Sequence, residues 1–183
     1  MIKAAIGLVE LSSIAKGIEV SDAMLKRAEV EIIVNRSICP GKYMVLIGGD
    51  VDSVNASVET GIETGRDEIV DHFVIPNVHK SIFPAISGIN ATVELNALGI
   101  IESFSVASII EAADAAVKAA PVELITVYLA MAIGGKGYVM FTGDVASVQS
   151  GVNAGVNAIK NKGLLVQKVV IPSPRKEVLS TWI

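Results

Sequence analysis

One cysteine, two histidines and two glutamates at matching places are the residues of this sequence whose types could do chemistry. Cys39 lies between Ser37-Ile38 and Pro40-Gly41-Lys42. A single thiol excludes an internal disulfide and any metal site built from several thiols of one chain. Most lone cysteines are small buried hydrophobes, but a Pro-Gly turn joining two strands is a place where a side chain meets solvent. One thiolate cannot hold zinc or an iron–sulfur cluster, which need about three or four ligands. Three-fold symmetry can supply the rest, because a loop at the axis of a ring delivers three equivalent sulfurs to one point. A metal at Cys39 therefore requires a trimer.

The other candidates carry less. His72 and His79 are too far apart, and too poor in companions, to make a recognisable zinc or catalytic set. Glu10 and Glu102 close two similar strand-like segments; they read either as an acid–base pair or as one structural contact made twice. Gly134-Gly135-Lys136-Gly137 ends a glycine-rich turn in lysine, but a phosphate-cradling loop requires Gly at the position of Ala130 and Ser or Thr at that of Gly137. Arg36 and Tyr43 occupy those places in the first half, so a tight strand-to-strand turn is expected. No nucleophile stands beside a base, and no enzyme is expected.

Positioning these residues falls to a chain of 183 residues that is 51% hydrophobic, 19% charged and only 4% aromatic. Its apolar character thus comes from Ala, Val, Ile and Leu, which suits a folded chain. Mean hydropathy is +0.58, yet the longest uncharged apolar run, Leu124 to Ile133, falls short of the roughly 18 residues that cross a bilayer. No membrane partner is expected. A net charge of −4 and few aromatics argue against nucleic acid, whose phosphates need clustered Lys and Arg and whose bases need stacking surfaces. The N-terminal Met1-Ile2-Lys3-Ala4-Ala5 runs into an alternating segment and not an apolar signal core, so the cytoplasm is the expected location.

Comparing the chain with itself reveals a tandem duplication. Ala5-Ile6-Gly7-Leu8-Val9-Glu10 recurs as Ala97-Leu98-Gly99-Ile100-Ile101-Glu102, Asp22-Ala23-Met24-Leu25-Lys26 as Asp114-Ala115-Ala116-Val117-Lys118, and Val30-Glu31 as Val122-Glu123. After a two-residue slip, Gly41-Lys42 matches Gly135-Lys136, Gly49-Asp50-Val51 matches Gly143-Asp144-Val145, and Val74-Ile75-Pro76 matches Val170-Ile171-Pro172. Each copy is a unit of about 90 residues, close to domain size; the expected domains are residues 1–91 and 92–183.

Each unit opens with a short apolar strand. Helical spacing follows at Ile14, Ile18, Ser21, Leu25 and Ala28, and at Val106, Ile110, Ala113, Val117 and Ala120. A strand pair comes next, Glu31 to Asn35 with Tyr43 to Ile47, repeated as Leu124 to Met131 with Tyr138 to Thr142. A second helix starts near Asp50 or Asp144, and a last strand ends at proline. Strand, helix, strand, strand, helix, strand gives an α/β (α+β) fold of ferredoxin-like βαββαβ units, twice, with two helices on one face of an antiparallel sheet. Such a fold hosts many functions.

The segments Ala97-Leu98-Gly99-Ile100-Ile101-Glu102, Asp114 to Glu123, Gly143-Asp144-Val145-Ala146-Ser147-Val148 and Val170-Ile171-Pro172 resemble the bacterial microcompartment (BMC) shell domain, over nearly the whole chain and in two unpermuted copies. The Ile38-Cys39-Pro40-Gly41-Lys42 loop resembles more closely still the tandem-domain shell proteins of propanediol-utilization microcompartments. This resemblance implies a homotrimer whose six domains form a pseudohexameric tile in the shell of a microcompartment within the cytoplasm. It implies a [4Fe-4S] cluster, one per trimer, held at the central pore by Cys39 of three chains, for electron transfer across the shell or cluster delivery to a redox enzyme. Ser37, Ile38, Pro40 and Gly41, with Ile133, Gly134 and Gly135, would line that pore; Lys26 and Lys118 would lie at tile edges that meet other shell proteins. The family's Pro-Arg-Pro-His motif is replaced by Pro76-Asn77-Val78-His79 and Pro172-Ser173-Pro174-Arg175, and its edge arginine is missing from both copies. Two other readings stand beside this one: a metabolite-gating pore without a cluster, and a tandem ferredoxin-like sensor of small molecules.

Overall fold

The computed structural model describes residues 5–88 and 94–178, so the expected domain boundary between 91 and 92 lies outside the described residues. Contacts gather the chain into two compact units, one within Met1–Val78 plus Ala130–Gly135, the other within His79–Leu129 plus Lys136–Ile183. The first contains β1 (Ala5–Leu11), α1 (Ile14–Arg27), β2 (Glu31–Ile38), β3 (Lys42–Gly49), α2 (Val51–Gly65) and β4 (Ile69–Ile75). The second contains α3 (Ile82–Ile86), β5 (Ala97–Ser103), α4 (Val106–Ala119), β6 (Glu123–Leu129), β7 (Gly137–Gly143), α5 (Val145–Ile159) and β8 (Leu165–Ile171).

Both sheets are antiparallel and share one strand order, β2-β3-β1-β4 and β6-β7-β5-β8. Even their irregularities repeat. Register shifts fall between Glu10 and Leu11 and between Glu102 and Ser103, and again between Ile32 and Val34 and between Leu124 and Thr126. The duplication thus preserves the pairing of strands residue by residue, which fixes which side chains face the helices.

Helix starts repeat as well. Ser13 and Ser105 accept the backbone N–H of Lys16 and Ser108, at 3.3 and 3.0 Å, and Asp50 and Asp144 accept those of Ser53 and Ser147, each at 2.9 Å. Each cap satisfies a backbone donor that has no partner inside its helix. In the first unit, Val9, Leu11, Val20, Met24, Tyr43, Val45, Ile47, Val54 and Val58 form the core between sheet and helices. The helix α2 approaches β1 closely at Gly7, where a β-carbon would come within 2.5 Å of Val58.

In α1 the spacing predicts a helix correctly, but of the stripe it singles out only Ser21 is buried. Gly17, Val20, Ser21 and Met24 face the core, while Ile14, Ile18 and Leu25 are 43, 57 and 41% exposed. The physical reason is size: Gly17 sits where any β-carbon would strike the Tyr43 ring, at 2.4 Å, so the helix seats on its small residues. By contrast α4 is buried on both faces, with Ile109, Ala112 and Ala116 on one side and Val106, Ile110 and Ala113 on the other.

A pH dependence follows from the acidic caps. The Ser53 hydroxyl and N–H beside Asp50, and those of Ser147 beside Asp144, hold both carboxyls below the ordinary value of 3.8. The unfolded chain therefore binds more protons than the folded one just below that value, so these caps stabilise the fold above pH 4 and lose their contribution as pH falls through the lowered folded values. Replacing both residues by Asn keeps the caps and removes the charge; urea midpoints measured from pH 6 to pH 2 should fall less steeply in that double variant than in the parent.

Candidate functional site

Residues Ile38–Gly41 make the turn between β2 and β3. The Gly41 N–H donates to the Ile38 carbonyl at 3.0 Å, and Gly41 takes φ of 104°, which favours glycine. Cys39 is a free thiol, part-exposed in this turn. Its surroundings come from Ala130–Gly135 of the same unit. The Cys39 N–H donates to the Ala130 carbonyl at 3.0 Å, and the Ala132 N–H donates to Cys39 Sγ at 3.3 Å. Both alanines are in the left-handed region, at φ of 51° and 59°, a conformation that costs an L-residue about 1–2 kcal/mol and needs surrounding structure to hold it.

Two further residues tighten this arrangement. Gly135, at φ of 81°, passes so close that a β-carbon would lie 2.6 Å from Pro40 Cδ and 2.9 Å from the Cys39 carbonyl. Lys42, which opens β3, donates to the Gly135 carbonyl at 3.1 Å and forms an ion pair with Glu10, which is fully buried on β1. The second unit repeats the ion pair as Lys136 with Glu102, at 2.5 Å but with both side chains partly in water. Glu10 and Glu102 are thus one structural contact made twice, and Lys136 is engaged by a carboxylate.

Of the residues expected near a pore, Ser37, Pro40, Gly41 and Gly134 are exposed, Ile133 is half-buried, and Ile38 and Gly135 are buried. Lys26 and Lys118 sit in the last turns of α1 and α4, where a cation suits the helix C-terminus, and pair with Asp22 and Asp114 at 2.6 and 2.5 Å. His79 donates its backbone N–H to Asp114 at 2.7 Å, and its Nδ1 lies 2.7 Å from the Ser81 hydroxyl. Sequence reasoning missed Glu10, Lys42, Ala130 and Ala132 as the parts that position Cys39. The first two were within reach: Glu10 pairs with Met44 across the ladder, so Lys42 stands diagonally beside it on the same face.

Among the described residues, no three His, Cys, Asp or Glu side chains gather as a metal site. One chain offers a single thiol, part-exposed, outside any disulfide, and receiving a backbone N–H. Hydrogen bonds to sulfur are among the levers that tune iron–sulfur clusters, so the donor fits such a group once other chains bring the missing thiols.

A family model for the BMC domain matches the chain twice, at residues 5–78 and 97–174. The chain belongs to the BMC-domain family and is a structural shell protein of bacterial microcompartments. It is 48% identical over 174 residues to the microcompartment shell protein PduT of Citrobacter freundii, covering 95% of each chain. The crystal structure of a microcompartment protein from Desulfitobacterium hafniense matches with a TM-score of 0.83 at 50% identity, over 95% of this chain and 97% of that one. Carboxysome shell protein CcmK2 of Synechococcus elongatus is 30% identical over 82 residues, which is 80% of that protein and 43% of this chain.

The Cys39 platform can be tested through stability. Gly135→Ala should destabilise the protein by about 1–3 kcal/mol in urea titrations and speed alkylation of Cys39. Lys42→Met, which removes the ammonium facing buried Glu10, should cost about 3 kcal/mol, whereas Lys136→Met, whose Glu102 meets water, should cost less than about 1 kcal/mol.

Proposed function

We propose that this shell protein is a homotrimeric tile that binds one [4Fe-4S] cluster on its three-fold axis through Cys39 of each chain. The observation that carries the reading is the Cys39 turn: one accessible thiol per chain, fixed by two hydrogen bonds to Ala130–Gly135, with no companion ligand among the described residues. A rigid loop brings three sulfurs to one point more reliably than a loose one, because the ordering cost is met before the metal arrives. Ser37, Ile38, Pro40 and Gly41 with Ile133, Gly134 and Gly135 form the pore around it. Lys26 and Lys118 lie at tile edges and meet other shell proteins.

When bound, the cluster supplies a one-electron site at the centre of the tile. The Ala132 N–H, through the sulfur, tunes its potential, and Ile38 beneath the turn limits water on that side. Electrons would pass between a redox enzyme inside the microcompartment and a partner in the cytoplasm, one in and one out, leaving the tile unchanged. Among the described residues, no helix is long and apolar enough to cross a membrane.

Anaerobic purification, iron analysis, electron paramagnetic resonance and light scattering test this reading together. The expected result is a trimer with one cluster for three chains, and a Cys39→Ser variant that remains trimeric without iron or signal. The same spectrum in Cys39→Ser, or a chain count not divisible by three, would overturn it. A native trimer that takes up no iron under reconstitution leaves the metabolite-gating pore in its place.

A further inference from the structure

The two copies differ in one large respect: the outer face of the first helix is covered in one and open in the other. On α4, Val106 and Ile110 are fully buried and Asp114 is nearly so, and Leu124 on β6 is 6% exposed. Their counterparts in the repeat, Ile14, Ile18, Asp22 and Ile32, are open to solvent, with Ile18 at 57% and Ile32 at 41%. In the second unit the cover is the segment His79–Ile86, whose helix α3 packs on α4 and β6 with Ile82 and Ala85 buried. Its entry is fixed by the His79 N–H, which donates to Asp114 at 2.7 Å.

That covering segment follows β4 directly in the chain. In the first unit no described residue covers the equivalent face, where Ile14, Ile18 and Ile32 stay exposed. The equivalent segment does exist, however, after β8. Aligning Val74-Ile75-Pro76 with Val170-Ile171-Pro172 places Arg175 with His79, Val178 with Ile82, Leu179 with Phe83 and Trp182 with Ile86. The apolar spacing of the cover is retained there, and Lys176–Val178 forms a 3-10 turn where the first segment approaches α3.

We infer that residues 175–183 of one chain dock on the α1 and β2 face of a second copy, where Ile14, Ile18, Leu25 and Ile32 are exposed and Asp22 stands ready to accept the Arg175 backbone N–H. Asp22 pairs with Lys26 as Asp114 pairs with Lys118, so the acceptor is held in the same orientation in both units. The contact joins unlike surfaces, tail to face, which propagates from chain to chain and closes when the rotation returns to its start. It concerns the self-association that the trimeric reading requires, but neither the thiol nor the number of chains.

The test is a photo-cross-linking amino acid in place of Trp182, in an equal mixture of ¹⁵N-labelled and unlabelled chains. The expected result is cross-links of mixed isotope between position 182 and peptides spanning residues 12–33. Ile18→Glu, at an exposed position, and Trp182→Glu should each weaken association by more than about tenfold in sedimentation, with circular dichroism unchanged. Intact oligomers whose cross-links stay within one isotope, or reach other peptides, would overturn the docking and leave the trimer standing; a chain that is monomeric at every concentration overturns both. Mixed cross-links in a protein that never binds iron support the docking and remove the cluster reading alone.

Discussion

The buried ion pair between Glu10 and Lys42 is the contact on which the thiol platform depends. A carboxylate with no exposure to water is costly unless a cation meets it, and breaking such a pair costs more than forming it contributes. Lys42 is therefore held at the start of β3, and its second bond, to the Gly135 carbonyl, ties Ala130–Gly135 to the same anchor. Cys39 lies between these tethers. Its backbone and its sulfur each have a partner in that loop, so its position follows from a core electrostatic requirement and not from the turn alone.

The duplicated architecture was legible because its causes are local and repeated. Cap residues, strand alternation and glycine positions recur in both copies, and each carries a short-range physical reason that a sequence displays. The Cys39 turn was legible for the same reason, since Pro40-Gly41 between two apolar runs marks a strand-to-strand connection. What fixes that turn was not, because Ala130 and Ala132 are ordinary alanines until a fold holds them at positive φ, and no composition signals a residue that acts through its backbone.

The inward face of α1 was hidden for a different reason. The helix carries two apolar stripes, and the one with larger side chains, Ile14, Ile18 and Leu25, is the one facing outward. Periodicity measures where apolar residues lie, not which of two apolar stripes faces the core. Gly17 was the informative residue: a small side chain in mid-helix marks where another element must come close, and here Tyr43 does.

Duplication within one chain frees the two copies to diverge at places that a symmetric ring of single domains would be forced to repeat. In the proposed homotrimer, a cysteine at the same place in both copies would bring six sulfurs toward one axis, more than the about four ligands a cluster needs. Here the first copy carries Cys39 and the second carries Met131 at the matching position, followed by a loop two residues longer. That longer loop is the one that reaches Cys39 and donates the Ala132 N–H to its sulfur. The second copy thus carries no thiol at that position, and its longer loop supplies the support for the thiol of the first.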